Sequence, residues 1–102
     1  MSFEFLIRPE AEADARAAFH WYEEQLPGLG GAFLSELDRE FGSISANPEA
    51  HARIHLGIRR ALLHRFPYGI FYVVETGRII VLAILHTSRD PRLLTNRQSG
   101  NP

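Results

Sequence analysis

The sequence predicts an α+β fold of two layers, in which a helical hairpin packs on a mainly antiparallel four-stranded sheet in the order β-α-α-β-β-β. Two segments in the first half of the 102-residue chain carry apolar residues at helical spacing. Three strand-like runs follow in the second half with only short turns between them. The last run is apolar without a break, which is typical of a strand covered on both faces.

The first predicted element is a short strand, Phe3 to Arg8, which ends at Pro9 because proline cannot donate to a strand ladder. Pro9 suits the first turn of a helix, and the acidic residues that follow favour the positive end of the helix dipole. We therefore predict helix one from about Glu10 to Gln25. Its apolar face is mostly alanine, so a neighbouring element is expected to approach closely.

The Pro27-Gly28 step ends this helix, and a second apolar stripe runs from Leu29 to Ile44 before Asn47-Pro48 ends helix two. Because the connection is short, the two helices must lie antiparallel as a hairpin. Gly42 inside helix two costs about 1 kcal/mol relative to alanine, so we expect a close packing contact there. Residues 49–58 show no clear period and are predicted to form a loop.

Three strand-like runs occupy the second half: Arg59 to Phe66, Ile70 to Glu75 and Ile79 to His86. The turns between them, residues 67–69 and 76–77, demand antiparallel neighbours. The last run belongs to the stretch from Arg78 to Asp90 and is predicted to be the central strand. It delivers titratable and charged groups to one edge of the fold: His86, Arg89 and Asp90.

Alternation along this central strand puts large apolar groups on both of its faces. Ile80, Leu82 and Ile84 have one parity, and Ile79, Val81, Ala83 and Leu85 have the other. The hairpin is expected to cover one face, and nothing else in the sequence is assigned to the other. We expect a partner protein, or a second copy of the chain in a homodimer, to supply that cover.

Charge is unevenly distributed along the chain. Residues 1–50 hold three arginines and ten acidic residues, a net charge of −7, whereas residues 51–102 hold eight arginines and two acidic residues, a net charge of +6. The second half is therefore suited to an acidic or polyanionic partner.

The sequence has no cysteine, no secretory signal and no membrane-length apolar run. We therefore expect a cytoplasmic protein with one domain over residues 1–94 and a flexible tail over residues 95–102.

Several strings occur in a fixed order across residues 3–92. They are Pro9-Glu10-Ala11-Glu12-Ala13-Asp14, Trp21-Tyr22-Glu23-Glu24-Gln25, Pro27-Gly28-Leu29-Gly30 with Phe33, Asn47-Pro48-Glu49, Ile58-Arg59-Arg60-Ala61-Leu62-Leu63, Arg65-Phe66-Pro67-Tyr68-Gly69-Ile70-Phe71-Tyr72, and Leu85-His86 with Arg89-Asp90-Pro91. In these strings the chain resembles the RelE/ParE superfamily of bacterial toxins from type II toxin-antitoxin modules, also called plasmid stabilisation system proteins. The ParE-like subgroup is favoured.

The resemblance implies a growth-inhibiting toxin that needs no cofactor and is neutralised by a cognate antitoxin. ParE-like toxins bind and inhibit DNA gyrase, whereas RelE-like toxins cut messenger RNA in the ribosomal A site. Fold alone does not choose between these activities. A third alternative is a degenerate member that only binds its antitoxin, so the sequence leaves open whether the protein is an enzyme.

Five residues are candidates for binding a target or an antitoxin: Arg59, Arg60, Arg65, His86 and Arg89. Guanidinium groups suit phosphates and carboxylates, and histidine titrates near neutral pH. If the protein is a nuclease, His86, Arg65 and Arg89 are its candidate catalytic residues. RelE-like nucleases usually have a tyrosine after the position of Asp90. Here the sequence has Pro91-Arg92-Leu93, a departure that weakens the nuclease alternative.

Simpler explanations stand beside these roles. Arg59 and Arg65 suit solvated strand positions or partners of the acidic helices equally well, and Arg89 suits a local ion pair with Asp90 that shapes the turn. His51 and His55 have the spacing of a zinc pair, but no glutamate follows His51 and no third ligand is evident, so no metal site is predicted.

Overall fold

The structure has the predicted order of elements with one added strand. The computed structural model describes residues 3–94 and residue 97. Its elements are β1 (Glu4–Ile7), α1 (Pro9–Gln25), α2 (Leu29–Ala46), β2 (Arg53–His55), β3 (Ile58–Leu62), β4 (Tyr68–Glu75), β5 (Arg78–His86) and a 3-10 helix, Pro91–Leu94. Apart from residue 97, the tail predicted over residues 95–102 lies outside the described residues. No helix in the described part is long and apolar enough to cross a bilayer.

The sheet has five strands in the order β1-β5-β4-β3-β2 and is mixed rather than wholly antiparallel. β1 runs parallel to β5, and each of the other neighbouring pairs is antiparallel. The fifth strand is β2, which lies inside the predicted loop over residues 49–58. β2 has only three residues and an irregular register with β3, so it is too short for a period of two to show in the sequence.

β5 is an interior strand, as predicted, although β4 is the middle one of the five. Phe71 of β4 pairs with Ala83, whereas the next residue, Tyr72, pairs with Val81, so Leu82 is an extra residue in a β-bulge. The bulge reverses the alternation beyond it. Ile84 therefore packs on the helix side with Val81, not with Leu82 as strict alternation predicted.

Part of the face of the sheet away from the helices is covered within the chain. Leu94 of the 3-10 helix is buried against a second apolar cluster on this face. The remaining buried members of the cluster come from three strands: Ile58, Phe71, Val73, Leu82, Ala83 and Leu85. The expectation that this face needs a partner or a second copy is therefore wrong for the part that β5 occupies.

Close packing between the helices occurs at Gly30, not at Gly42. A Cβ atom built at Gly30 would lie 2.7 Å from the carbonyl oxygen of Phe19, so only glycine lets α2 approach α1 there. Gly42 faces open space, and the close contact predicted for it is wrong. The carboxylate of Glu23 accepts hydrogen bonds from the backbone N–H groups of Gly28 (2.8 Å) and Gly30 (2.9 Å), which fixes the start of α2 against α1.

Leu82→Asp tests the assignment of β5 as an interior strand covered on both faces. Leu82 is 1% exposed, so the change buries an unpaired carboxylate and should lower the free energy of unfolding by about 3 kcal/mol or more. Urea denaturation followed by circular dichroism measures the loss. Leu62→Asp is the matched control at a position 47% exposed, and equal small effects at both positions would contradict the assignment.

Candidate functional site

The ends of β4 and β5 meet the second half of α1 at one corner of the molecule. Tyr68 pairs with His86 in the ladder, and their ring centroids are 5.6 Å apart. The Thr87 N–H donates to the Pro67 carbonyl oxygen at 2.9 Å, which ties the turn before β4 to the segment after β5. Three of the five candidate residues lie here: Arg65 in the turn, His86 at the end of β5 and Arg89 after it.

A cavity of about 310 Å³ opens at this corner between α1 and β5. Its lining includes three aromatic rings, those of Trp21, Tyr68 and His86, and two charged side chains, Asp14 and Arg89. Trp21, the only tryptophan of the chain, is 55% exposed. Small alanine side chains on the adjoining face of α1 leave the space that the cavity occupies.

Tyr68 is held in place by the core beneath the cavity. Its ring centroid lies 5.3 Å from that of Phe33 and 6.0 Å from that of Tyr22, both in edge-on contacts that aromatic pairs favour. Tyr22 and Phe33 are themselves buried between the helices and the sheet. The core therefore fixes the position of Tyr68 in the wall of the cavity.

His86 is fixed in one tautomer by its neighbour Ser88. The Nδ1 atom of His86 accepts a hydrogen bond from the Ser88 backbone N–H at 3.1 Å and lies 2.9 Å from the Ser88 hydroxyl oxygen. Because a backbone N–H can only donate, Nδ1 carries no proton and the neutral ring carries its proton on Nε2. His86 therefore offers a hydrogen-bond donor at Nε2, not the lone pair that a general base needs there.

The guanidinium group of Arg89 makes no hydrogen bond or ion pair within residues 3–94 and 97. The ion pair predicted between Arg89 and Asp90 is wrong, since Asp90 pairs with Arg92 at 2.8 Å. The side-chain and backbone hydrogen bonds from Arg92 lower the pKa of Asp90 below its ordinary value. Arg92 is thus engaged locally, while Arg89 is available to a ligand.

The other two candidate arginines lie elsewhere, on opposite faces of β3. Arg59 pairs with Tyr72 and faces the helices, where it donates to the carbonyl oxygens of residues 49 (3.1 Å) and 51 (2.7 Å). Arg60 pairs with Phe71 on the other face, with its stem against Gly69. The five candidate residues therefore do not share one surface.

Arg59 is one of several contacts that hold the segment after α2. Burial raises the pKa of Tyr72 to about 12, so its hydroxyl stays protonated and donates to the Pro48 carbonyl oxygen at 2.6 Å. His51 lies 3.8 Å from the nearly buried carboxylate of Glu40. Arg59 and His51 therefore have a structural role, because their contacts hold this segment in place.

A buried carboxylate on α2 shapes the turn that carries Arg65. Glu36 is 3% exposed and accepts hydrogen bonds from the backbone N–H groups of Arg65 (3.0 Å) and His64. Burial raises the pKa of Glu36, but the donors of Arg65 and His64 outweigh it and hold that pKa below its ordinary value. Because these N–H groups point to α2, β3 ends at Leu62 rather than at Phe66 as predicted.

Asp14 is a further residue of the corner that the sequence did not single out for the site. Its Oδ2 atom accepts a hydrogen bond from the Ile84 N–H at 3.1 Å and forms an ion pair with the Arg97 guanidinium group at 2.7 Å. Arg97 also donates to the Leu82 carbonyl oxygen at 3.1 Å. The sequence signal for this role of Asp14 was the difference in strand length. Because β1 is shorter than β5, part of the β5 edge on the side of β1 bonds to side chains instead of to a strand.

Comparisons with known proteins match one family model and 12 chains of solved structures. Residues 5–91 match the family model of the ParE toxin of the type II toxin-antitoxin system parDE. The fold is similar to a chain of the chromosomal ParDE toxin-antitoxin system of P. aeruginosa, with 20% identity, a TM-score of 0.74, and 82% of this chain and 95% of that chain covered.

The second structure is a chain of the RelBE2 toxin-antitoxin complex of Mycobacterium tuberculosis, with 16% identity and a TM-score of 0.56. The alignment covers 84% of this chain and 92% of that chain. A comparison with curated protein sequences gives no match. At these identities the two structures establish a shared fold.

Glu36→Ala tests the role of the buried carboxylate. The change leaves two backbone donors without their charged acceptor and should lower the free energy of unfolding by about 2–4 kcal/mol. Chemical denaturation measures the loss. Glu24→Ala, at an exposed position on α1, is the control and should change stability by less than about 0.5 kcal/mol; similar values for both variants would contradict the assigned role.

The same carboxylate makes stability depend on pH in a predictable direction. Because the pKa of Glu36 is lower in the folded state than its ordinary value of 4.5, its stabilising effect is present above that value and is lost as the pH falls through the folded pKa. The stability difference between the native chain and Glu36→Ala should be constant from about pH 7 to about pH 5 and shrink below it. Denaturation curves at several pH values measure this, and a difference that grows in acid would contradict it.

Proposed function

The chain belongs to the ParE toxin family of type II toxin-antitoxin systems, and we propose that it inhibits growth by binding an essential protein target such as DNA gyrase. We further propose that a cognate antitoxin neutralises it. One observation favours this proposal over messenger RNA cleavage. The candidate cationic residues are not arranged around a single position where a phosphate could bind.

RNA cleavage without a metal requires a general base, an acid for the leaving oxygen and cationic donors around the reacting phosphate. Here Arg59 is bound to carbonyl oxygens of the segment after α2, and Arg60 lies on the other face of β3. His86 carries its proton on Nε2 because Ser88 donates to Nδ1. This arrangement favours action by binding.

The corner has the residue types of a protein interface. Exposed tryptophan, tyrosine and arginine side chains are enriched among the residues that dominate binding energies between proteins. Trp21, Tyr68 and Arg89 line one cavity, and the core fixes the position of Tyr68. A formal charge of −1 also gives the chain little of the general attraction to phosphates on which RNA binding relies.

The expectation of a cognate antitoxin rests on the family and on the two similar structures. One of these is named as a ParDE system and the other as a RelBE2 toxin-antitoxin complex. The arginine-rich second half of this chain, with a net charge of +6, suits an acidic segment of such a partner.

Gyrase supercoiling assays with the purified chain test the proposed target. We expect inhibition at micromolar concentrations of the chain and its relief when the product of the adjacent reading frame is added at equimolar ratio. Messenger RNA from induced cells, mapped in parallel for the native chain, His86→Ala and Arg65→Ala, should stay intact in all three.

Unchanged supercoiling together with messages cut by the native chain, but not by the two variants, would support the RelE-like alternative instead. Normal growth on expression of the chain alone would support a degenerate member that only binds its antitoxin. Growth arrest with inhibited gyrase and intact messages supports the proposal.

A further inference from the structure

The second half of β5 continues beyond the end of its neighbour β1. The pairing of the two strands ends with Ile7 opposite Val81. The Arg8 N–H then makes the last backbone hydrogen bond between them, to the Val81 carbonyl oxygen at 3.0 Å. Within the described part of the chain, residues 82–86 have no strand beside them on this side. A strand edge without a neighbour is a place where a second chain can add.

Two side chains occupy backbone groups of this edge. The Arg97 guanidinium group donates to the Leu82 carbonyl oxygen at 3.1 Å, and the Oδ2 atom of Asp14 accepts from the Ile84 N–H at 3.1 Å. The same Oδ2 atom lies 2.7 Å from Arg97, in an ion pair whose side chains are only 16% and 27% exposed. We call the side chains of Asp14 and Arg97 the clasp. It links α1 to the segment after the 3-10 helix at the edge of β5.

The clasp presents the groups that one residue of a parallel strand would present. Such a residue donates its N–H to one carbonyl of the neighbouring strand and accepts with its own carbonyl from the N–H two residues further along. Here Arg97 is the donor to Leu82, and Asp14 is the acceptor from Ile84. The clasp therefore takes the place of one strand residue beyond the end of β1.

Two further backbone groups face the same side of β5. The Ile84 N–H points to Asp14 and hence away from β4. The Ile84 carbonyl and the N–H of His86, two residues on, point the same way, because alternate residues of a strand bond on the same side. The His86 carbonyl is already bonded, since it accepts from the Arg89 N–H at 3.0 Å.

The outward groups of residues 82–86 are self-complementary about a two-fold axis through Ile84. In an antiparallel pair of β5 strands, each Ile84 N–H would donate to the Ile84 carbonyl of the other copy. Each His86 N–H would donate to the Leu82 carbonyl of the other copy. Every one of these hydrogen bonds needs either the Ile84 N–H or the Leu82 carbonyl, and these are the two groups that the clasp occupies.

The strand beside the clasp is of a kind that is prone to pairing. The run from Ile79 to Leu85 is apolar without a break, and exposed edge segments with high strand propensity and without charge or proline tend to associate. Charged side chains at such an edge prevent this association. We propose that the clasp keeps this protein from pairing with a second copy of itself through β5. This inference goes beyond the proposed function and does not depend on it.

Sedimentation equilibrium of clasp variants tests the proposal. The double variant Asp14→Ala with Arg97→Ala frees both backbone groups and should dimerise with a dissociation constant of about 100 μM, whereas the native chain should stay a monomer up to about 1 mM. Each single variant frees one group and should dimerise at least tenfold more weakly than the double variant. The matched control is Asp90→Ala with Arg92→Ala, which removes an exposed ion pair of the same residue types at 2.8 Å and should stay monomeric.

Exchange of the two charges separates the hydrogen bonds of the clasp from its ion pair. The double variant Asp14→Arg with Arg97→Asp keeps opposite charges but puts a donor next to the Ile84 N–H and an acceptor next to the Leu82 carbonyl. Neither backbone group is then bonded, so this variant should also form dimers. A folded, monomeric exchanged variant would show that the ion pair alone is sufficient and would overturn the proposal. Circular dichroism checks that each variant is folded, and the single alanine variants decide the question if a double variant is not.

Amide hydrogen exchange locates the contact between the copies. In the alanine double variant, exchange at Ile84 and His86 should slow about fourfold as the concentration rises from about 10 μM to about 1 mM, because both N–H groups gain acceptors in the dimer. Three results would each overturn the proposal: a native chain that dimerises with protection at His86, folded clasp variants that stay monomeric at about 1 mM, or a dimer in which exchange at these two amides is unchanged.

Discussion

The apolar run of β5 must be kept from water on both faces, and most of the architecture serves that requirement. The helical hairpin covers one face, and the 3-10 helix with Leu94 covers part of the other. β1 and β4 pair with its two edges, although β1 reaches only as far as Val81. Because β5 is held on all these sides, its last residue, His86, has a fixed position against Tyr68, and the corner cavity is a product of the core.

The order of the elements could be predicted because the boundaries of the helices and the start of the sheet have local signals in the sequence. Proline and glycine mark the ends of α1 and α2, and the change from a helical period to strand-like runs marks the start of the sheet. Features with no local signal were not predicted. β2 is too short to show a period, and the bulge at Leu82 is one apolar residue among seven in succession, Ile79 to Leu85.

The candidate site could not be predicted in full because its residues are far apart in the sequence. Trp21 and Tyr68 are 47 positions apart, and Asp14 and Ile84 are 70 positions apart, so only the folded chain brings these pairs together. Arg59 and Arg60 look equivalent in the sequence, but successive residues of a strand face opposite ways. Arg59 therefore contacts the segment after α2, Arg60 lies on the other face of the sheet, and only Arg65, His86 and Arg89 belong to the corner.

The parallel pairing of β1 with β5 joins residue 4 to residue 78, with consequences for how the protein is made in the cell. Contacts between residues so distant in sequence form late and slow folding. The first strand stays without its neighbour until the ribosome has released the residues of β5. A translation product interrupted before Arg78 therefore lacks the strand that joins β1 to the rest of the sheet, and with it the corner that β5 forms with α1.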